Sequence, residues 1–143
     1  MAECKIIRAD SGYGAGHGLT YFEGISRESA GALGLCLHMV EIPPLKRAKA
    51  HLHEGHESAI YTLEGTVEML YGEQMEHFIE VSPGDYLHIP AGVPHSPWNP
   101  STDRTARALI ARTDPSETEN LVMRLDLEPI VLAWLAAHGR EIS

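Results

Sequence analysis

Short apolar stretches alternate with turn residues along most of this chain, and no long amphipathic helix pattern occurs before residue 120. Proline and glycine recur between the stretches, as in Pro43-Pro44, Glu64-Gly65 and Pro83-Gly84. Many short strands at this spacing are typical of an all-β sandwich or barrel. The pattern predicts strands over residues 5–8, 19–22, 33–42, 48–53, 58–63, 66–71, 77–81, 86–89, 95–98 and 105–112.

The last part of the chain has a different pattern. Residues 121–137 are rich in Leu, Ala and Val and are followed by Gly139. Such a run predicts one helix, or two short helices that meet around Pro129. A length of 143 residues suits one domain. We therefore expect a single domain over residues 1–143, with a helical tail over residues 120–139.

The charge is distributed unevenly. The formal net charge is -9, and the stretch from Ala50 to Asp103 contains no Lys or Arg. Nucleic-acid binding needs clustered basic residues on the phosphates, and anionic membrane surfaces attract basic segments. An acidic chain without a basic stripe is therefore not expected to bind nucleic acid or membranes.

Sequence features also bear on the compartment. The longest apolar runs are too short to span a bilayer, and the N-terminal residues lack the basic-then-apolar pattern of a signal peptide. The two cysteines, Cys4 and Cys36, do not form a disulfide framework, and we expect both to be free thiols. These features together predict a cytoplasmic protein.

Histidines in the middle of the chain have the spacing of metal ligands. In His51-Leu52-His53 the two imidazoles project from the same face of a strand, where both can bind one divalent ion. The carboxylate of Glu57 follows closely and is a candidate for completing the ligand set. The alternative is that this His-x-His sequence belongs to a histidine-rich surface loop.

A second block resembles the second sequence motif of the cupin superfamily, with each fixed position present: Gly84, Pro90, Gly92, His95 and Asn99. The first cupin motif is similar to the residues His51, His53, Glu57 and Gly65. The two blocks lie within about residues 45–100. The resemblance implies a small single-domain cupin of the cupin 2 type, with a double-stranded β-helix, or jelly-roll barrel, around a metal site. It implies His51, His53 and His95 as metal ligands, with Glu57 as the acid.

The first block departs from the motif in two places. If Glu57 is the acid, Gly65 comes one residue late, and counting back from Gly65 puts Ser58 in the position of the acid. The early glycine of the motif is replaced by Leu45. Three alternatives therefore remain open for the last ligand: Glu57 at a local bulge, His56, or water. If they do not bind metal, His56 and Glu57 are candidate catalytic bases.

Strand alternation suggests residues that contact a substrate. Arg47 and Lys49 have the same parity as His51 and His53, so a regular strand would aim them at the mouth of the metal cavity. There they would bind an anionic molecule, although a solvated strand start would pair them with nearby acids instead. Tyr61 has the parity of Glu57 and would line the pocket if Glu57 does.

The resemblance implies a metal-dependent enzyme of the dioxygenase type or of the isomerase/lyase type. Its substrate would be a small organic molecule, either neutral or anionic. The divalent transition metal would be Fe, Mn, Ni, Zn or Cu. The alternative is a non-catalytic cupin that binds a sugar or carboxylate, because a fold does not fix a function. A homodimer is expected from the family.

Overall fold

The structure is a computed structural model that describes residues 2–8, 13–14, 18–116 and 120–143. Its strands are β1 (Tyr13–Gly14), β2 (Thr20–Ile25), β3 (Cys36–Ile42), β4 (His51–His53), β5 (Ser58–Glu64), β6 (Val67–Tyr71), β7 (His77–Val81), β8 (Tyr86–Ile89), β9 (His95–Trp98), β10 (Ala106–Arg112) and β11 (Leu121–Met123). The helices are α1 (Arg27–Ala30) and α2 (Glu128–Ala137), and a 3-10 turn (Leu125–Leu127) leads into α2.

The strands form two antiparallel sheets. The order is β1-β2-β3-β10-β5-β8 in the six-stranded sheet and β11-β4-β9-β6-β7 in the five-stranded sheet. Neighbours in the chain often lie in different sheets, as β4 and β5 do, which is the arrangement of a jelly roll. The all-β jelly-roll fold with a short C-terminal helix that the sequence predicts is confirmed.

The predicted strands from residue 58 to residue 112 agree with the observed ones to within one residue at either end. Three expectations were wrong. Residues 5–8 form no strand, and the strand predicted over residues 48–53 is regular only at His51–His53. Residues 121–123 form the strand β11 and not part of a helix. They pair with the edge of β4, whose free backbone groups offer them hydrogen bonds. Composition alone does not predict such a pairing.

The apolar core has two parts. One lies between the sheets and includes Tyr21, Val40, Ile42 and Ile110. The other lies on the outer side of the five-stranded sheet, where Val131 and Leu135 of α2 pack with Leu70 and Trp98. The helical tail therefore covers a sheet of its own chain. Within the described ranges, no helix is long and apolar enough to cross a membrane.

Two ion pairs, one largely buried and one partly exposed at Arg140, attach the tail to the sheet that carries the histidines. Arg47, just before β4, donates two hydrogen bonds to the carboxylate of Glu128 in a bidentate pair, at 2.6 and 3.0 Å. Glu128 also accepts a hydrogen bond from the backbone N–H of Ala50. Arg140 donates to both carboxylate oxygens of Glu68 at 2.8 and 2.7 Å. The tail therefore fixes the backbone that leads into β4.

The same contacts change the acidity of both carboxyl groups. The hydrogen bond from Arg140 is the main reason that the pKa of Glu68 is low, and burial only partly opposes it. Burial raises the pKa of Glu128, but the hydrogen bonds from Arg47 and Ala50 outweigh it and leave that pKa below its ordinary value. Both groups are therefore charged at neutral pH.

Candidate metal centre

Three buried histidines meet in the space between the sheets. His51 and His53 project from β4, and His95 begins β9 directly opposite His51. One nitrogen of each residue lies within 4.8 Å of the others. The ring centres of His51 and His95 are 4.3 Å apart, and that of His53 lies 5.2 and 5.3 Å from them. The structure therefore brings together the three histidines that the sequence singled out.

Backbone carbonyls fix the tautomers of two of these rings. Nδ1 of His51 lies 2.6 Å from the carbonyl oxygen of Lys49, and Nδ1 of His95 lies 2.9 Å from that of Val93. A carbonyl oxygen only accepts, so each Nδ1 must donate, and each Nε2 keeps its lone pair. A hydrogen bond from the second nitrogen is the usual way in which proteins orient a metal-binding imidazole. The donor set therefore fits a divalent ion.

The second sequence block acts as a scaffold that places His95. The N–H of Gly92 donates to the carbonyl of His53 at 2.8 Å, which ties the turn before β9 to β4. After β9, the side chain of Asn99 donates to the carbonyls of Ile42 and Arg104. With both of its ends attached, β9 holds His95 beside His51.

Two other motif positions have the backbone conformation that glycine favours. Leu45, where the motif has a glycine, has a φ of +59°, in the left-handed region that side chains rarely adopt. Gly65 has a φ of +73°, and a Cβ there would lie 2.9 Å from the Cα of Ala106. Gly65 is therefore required by a close approach of two strands, whereas Leu45 tolerates the same kind of conformation at a cost.

The histidines line a mainly apolar cavity between the sheets. The cavity has a volume of about 80 Å³. Its walls include Val40, Ile60, Met69, Leu87 and Ile110. Among the described residues, no Asp, Glu, Lys or Arg lines it. The side chains of this lining offer no partner to a charged ligand, and a buried charge without a partner is costly.

The structure corrects the expectation that Glu57 is a metal ligand. The side chain of Glu57 is 58% exposed, and its carboxylate accepts a hydrogen bond from His88 at 2.9 Å on the outer side of the sheet. The reason is the alternation of β5, whose inner face carries Ser58, Ile60 and Thr62. Being two residues before Ala59, Glu57 falls on the outer face.

The same alternation corrects the prediction for Tyr61. Its ring does not line the cavity and instead lies 4.8 Å from the ring of Tyr86 on the outer side. Tyr61 was predicted to face the pocket only if Glu57 does. The two side chains do lie on the same side of the sheet, which is its outer side.

The expectation that Arg47 and Lys49 lie at the mouth of the cavity is also wrong. Arg47 is held by Glu128, as described above, and Lys49 is exposed to solvent. Neither residue lines the cavity. The two side chains would face the cavity only if the strand were regular from residue 47, but the regular pairing of β4 begins at His51.

His56 lies beside the site without entering it. Its ring is buried, and its centre is 5.0 Å from that of His53. Its Nδ1 lies 3.7 Å from a carboxylate oxygen of Asp114. His56 lies outside both the cavity lining and the group of nitrogens that could share an ion. His56 therefore packs beside the ring of His53 and is not placed as a base for a molecule in the cavity.

The sequence reasoning did not assign Ser58 a role, although the signal was present. Counting back from Gly65 had put Ser58 in the position of the motif acid, and Ser58 is the residue that the fold turns inward. Thr62 lines the cavity from the same strand face. The inward position of both hydroxyls follows from the alternation of β5, in which Ser58, Ile60 and Thr62 share the inner face.

Comparison with known protein families matches residues 38–111 to the family described as Cupin domain. A curated relative is the quercetin 2,3-dioxygenase of Bacillus subtilis (strain 168), with 41% identity over 56 residues. The match covers 39% of this chain and 16% of that protein, so the chain spans about a sixth of its length.

Solved structures share the fold over most of the chain. The polyketide cyclase RemF from Streptomyces resistomycificus has a TM-score of 0.65 at 24% identity, over 100% of this chain and 99% of that one. An oxalate decarboxylase of Lactobacillus farciminis, solved as a formate complex, has a TM-score of 0.66 at 18% identity. That likeness covers 89% of this chain and 35% of the decarboxylase. At these identities the likeness establishes the fold alone.

Proposed function

This chain belongs to the cupin family, and on that premise we propose that it is a metal-dependent enzyme acting on a small, neutral and mainly apolar organic molecule. The observation that carries the proposal is the meeting of three buried histidine nitrogens, within 4.8 Å of one another, in the apolar cavity. Three imidazoles, two of them with tautomers fixed by backbone carbonyls, are a metal-binding set, and an apolar cavity beside them is suited to a substrate.

The residues that would hold the ion are His51, His53 and His95. Imidazole donors suit Zn, Cu, Ni and Fe, whereas Mn prefers carboxylates, and the described lining contains none. When bound, such an ion supplies a positive charge that polarises and positions an oxygen atom of the substrate. Because three neutral imidazoles leave the charge of the ion uncompensated, a ligand with an electron-rich oxygen is favoured there.

Among the reaction types that the sequence left open, we propose a dioxygenase. The first support is the local likeness to a quercetin 2,3-dioxygenase at 41% identity. The second is the absence of a carboxylate from the described lining. Isomerases and lyases that abstract a proton need a positioned base of suitable pKa. Apart from Tyr21, the only described lining groups of that kind are the three histidines assigned to the metal.

The apolar lining has its own part in this chemistry. Val40, Ile60 and Leu87 are among the side chains that surround the ligand and limit the water around it. With water excluded, electrostatic interactions in the cavity are stronger than they are in bulk solvent. An aromatic ring suits such walls, because apolar side chains bury it without loss of hydrogen bonds.

The experiment compares metal content and oxygen consumption. The purified chain is loaded in turn with Fe, Cu, Ni, Zn and Mn, and the bound metal is counted by mass spectrometry. Oxygen uptake is then followed with quercetin and with simpler phenols as substrates. We expect one equivalent of metal per chain and oxygen uptake with at least one metal and one phenol.

The matched control is a second histidine variant outside the site. His95→Ala should lose the metal, whereas His88→Ala should keep it, because His88 contacts only the outer side of the sheet at Glu57. A wild-type chain that takes up none of the five metals contradicts the proposal. A metal-loaded chain that binds phenols without consuming oxygen contradicts the dioxygenase and supports a binding protein.

A further inference from the structure

One buried hydroxyl in the cavity has no structural use in the fold. Ser58 is 2% exposed, and among the described residues its Oγ has no hydrogen-bond partner. The other two buried serines of the described ranges both make hydrogen bonds. Ser26 caps α1, and the Oγ of Ser96 donates to the carbonyl of Ala48 at 2.7 Å. An unpaired buried hydroxyl destabilises a protein, so its presence at Ser58 needs an explanation.

The position of Ser58 connects it with the histidines. Ser58 begins β5, pairs with Ile89 of β8 and with Arg112 of β10, and lines the same cavity as His51, His53 and His95. Glu57, one residue earlier, lies on the outer side with His88. The inward position that one spacing of the first motif gives to an acid is therefore occupied by a neutral hydroxyl.

The chemistry of the cavity indicates what that hydroxyl binds. Its neighbours in the lining include Ile60, Leu87 and Ile89, and the described lining holds no Asp, Glu, Lys or Arg. A serine hydroxyl both donates and accepts a hydrogen bond. It therefore can bind the oxygen atom of a neutral group such as a phenol or a carbonyl, and it brings no charge that would pair with an ionic ligand.

We propose that Ser58 is a specificity-determining residue that binds an oxygen atom of a neutral, mainly apolar ligand in the histidine-lined cavity. This proposal rests on the proposed function, because it assigns the cavity to a substrate. It adds the chemical class of the ligand and the side chain that selects it.

The first test measures binding with a matched pair of probes. Phenol and toluene have nearly the same shape and differ in one hydroxyl. Both are titrated into zinc-loaded wild-type chain and Ser58→Ala by calorimetry, with Glu57→Gln as a variant outside the cavity. One neutral hydrogen bond corresponds to about a two- to tenfold change in affinity. We expect Ser58→Ala to lose that factor for phenol and nothing for toluene, and Glu57→Gln to behave as wild type.

The second test separates a ligand-binding role from a structural one. Ser58→Ala removes an unpaired hydroxyl and should leave the melting temperature unchanged or raise it. Ser96→Ala removes a bonded hydroxyl of equal burial and should lower it. If Ser58→Ala is destabilised as much as Ser96→Ala, Ser58 has a structural role and the proposal is overturned.

The outcomes also distinguish this inference from the proposed function. A wild-type chain that binds no metal contradicts the proposed function itself. A chain that binds metal and phenol, but whose Ser58→Ala variant keeps the wild-type ratio of phenol to toluene affinity, overturns the role of Ser58 and leaves the metal centre in place.

Discussion

A methyl group added at Gly65 should destabilise the protein strongly, because two backbone segments approach closely there. The position joins β5 to β6, and an added Cβ would lie 2.9 Å from the Cα and 3.1 Å from the Cβ of Ala106, and 3.2 Å from the carbonyl oxygen of Thr105. Two of these three neighbours are backbone atoms, which cannot rotate away as a side chain can. The strand that carries Ser58 and Thr62 ends at this turn.

The expected loss of unfolding free energy in Gly65→Ala has two parts. Gly65 has a φ of +73°, and a left-handed conformation costs a residue with a side chain about 1–2 kcal/mol. Forcing an extra methyl group into close-packed structure costs a further amount of about 1–3 kcal/mol. Gly31 is a matched control, since its φ is +74° and nothing lies within 4 Å of an added Cβ. Gly65→Ala should therefore lose about 1–3 kcal/mol more than Gly31→Ala.

The assay is urea unfolding followed by circular dichroism, with thermal melting as a second measurement. For a chain of this length 1 kcal/mol corresponds to about 3 °C, so Gly65→Ala should melt roughly 3–10 °C below Gly31→Ala. Equal losses of unfolding free energy in the two variants would refute the reasoning, because they would show that the close approach to Ala106 carries no cost.

Three further predictions concern the metal site, the tail and the assembly. At a free zinc concentration 100 times the dissociation constant, the wild-type chain should gain about 2.7 kcal/mol in unfolding free energy, and His51→Ala should gain almost none; an equal gain in thermal shift would contradict the assigned ligands. The carboxyl of Glu68 has an ordinary pKa of 4.5 that its hydrogen bonds lower in the folded chain, so its stabilising effect is complete above pH 4.5 and is lost as the pH falls through the lowered value. Glu68→Gln should therefore be less stable at pH 7, and its unfolding free energy should fall less than that of the wild type between pH 6 and pH 3; parallel pH profiles would speak against this. The homodimer stays a prediction, and light scattering should give twice the 15.7 kDa of one chain; a mass of one chain would rule it out at that concentration.

Local patterns determined most of the secondary structure and the identity of the three histidines. Alternation and turn residues were sufficient for the strands between residues 58 and 112, because a half-buried strand shows its period of two in the sequence. The motif spacing was sufficient for His51, His53 and His95, since a tight turn of fixed length places a ligand with few alternatives.

Where the sequence failed, the missing information was the pairing of distant segments. Arg47 was expected at the mouth of the cavity, but its partner is Glu128, and no local pattern links residues so far apart in the chain. Residues 121–123 have a composition that suits a helix, yet the free edge of β4 makes them a strand.

The choice between Glu57 and Ser58 as the inward residue shows most clearly what the sequence determines and what the tertiary structure decides. The two possible spacings of the first motif put either Glu57 or Ser58 in the position of the acid, and the side chains of adjacent residues point to opposite sides of a strand. Only the register of β5 against β8 and β10, in which Ser58 meets Ile89 and Arg112, decides which of them faces the histidines. The sequence by itself determined the three histidines that are able to bind a metal. The tertiary structure decided which of the other candidate polar groups shares their cavity, because strand register is set by contacts between segments distant in the chain.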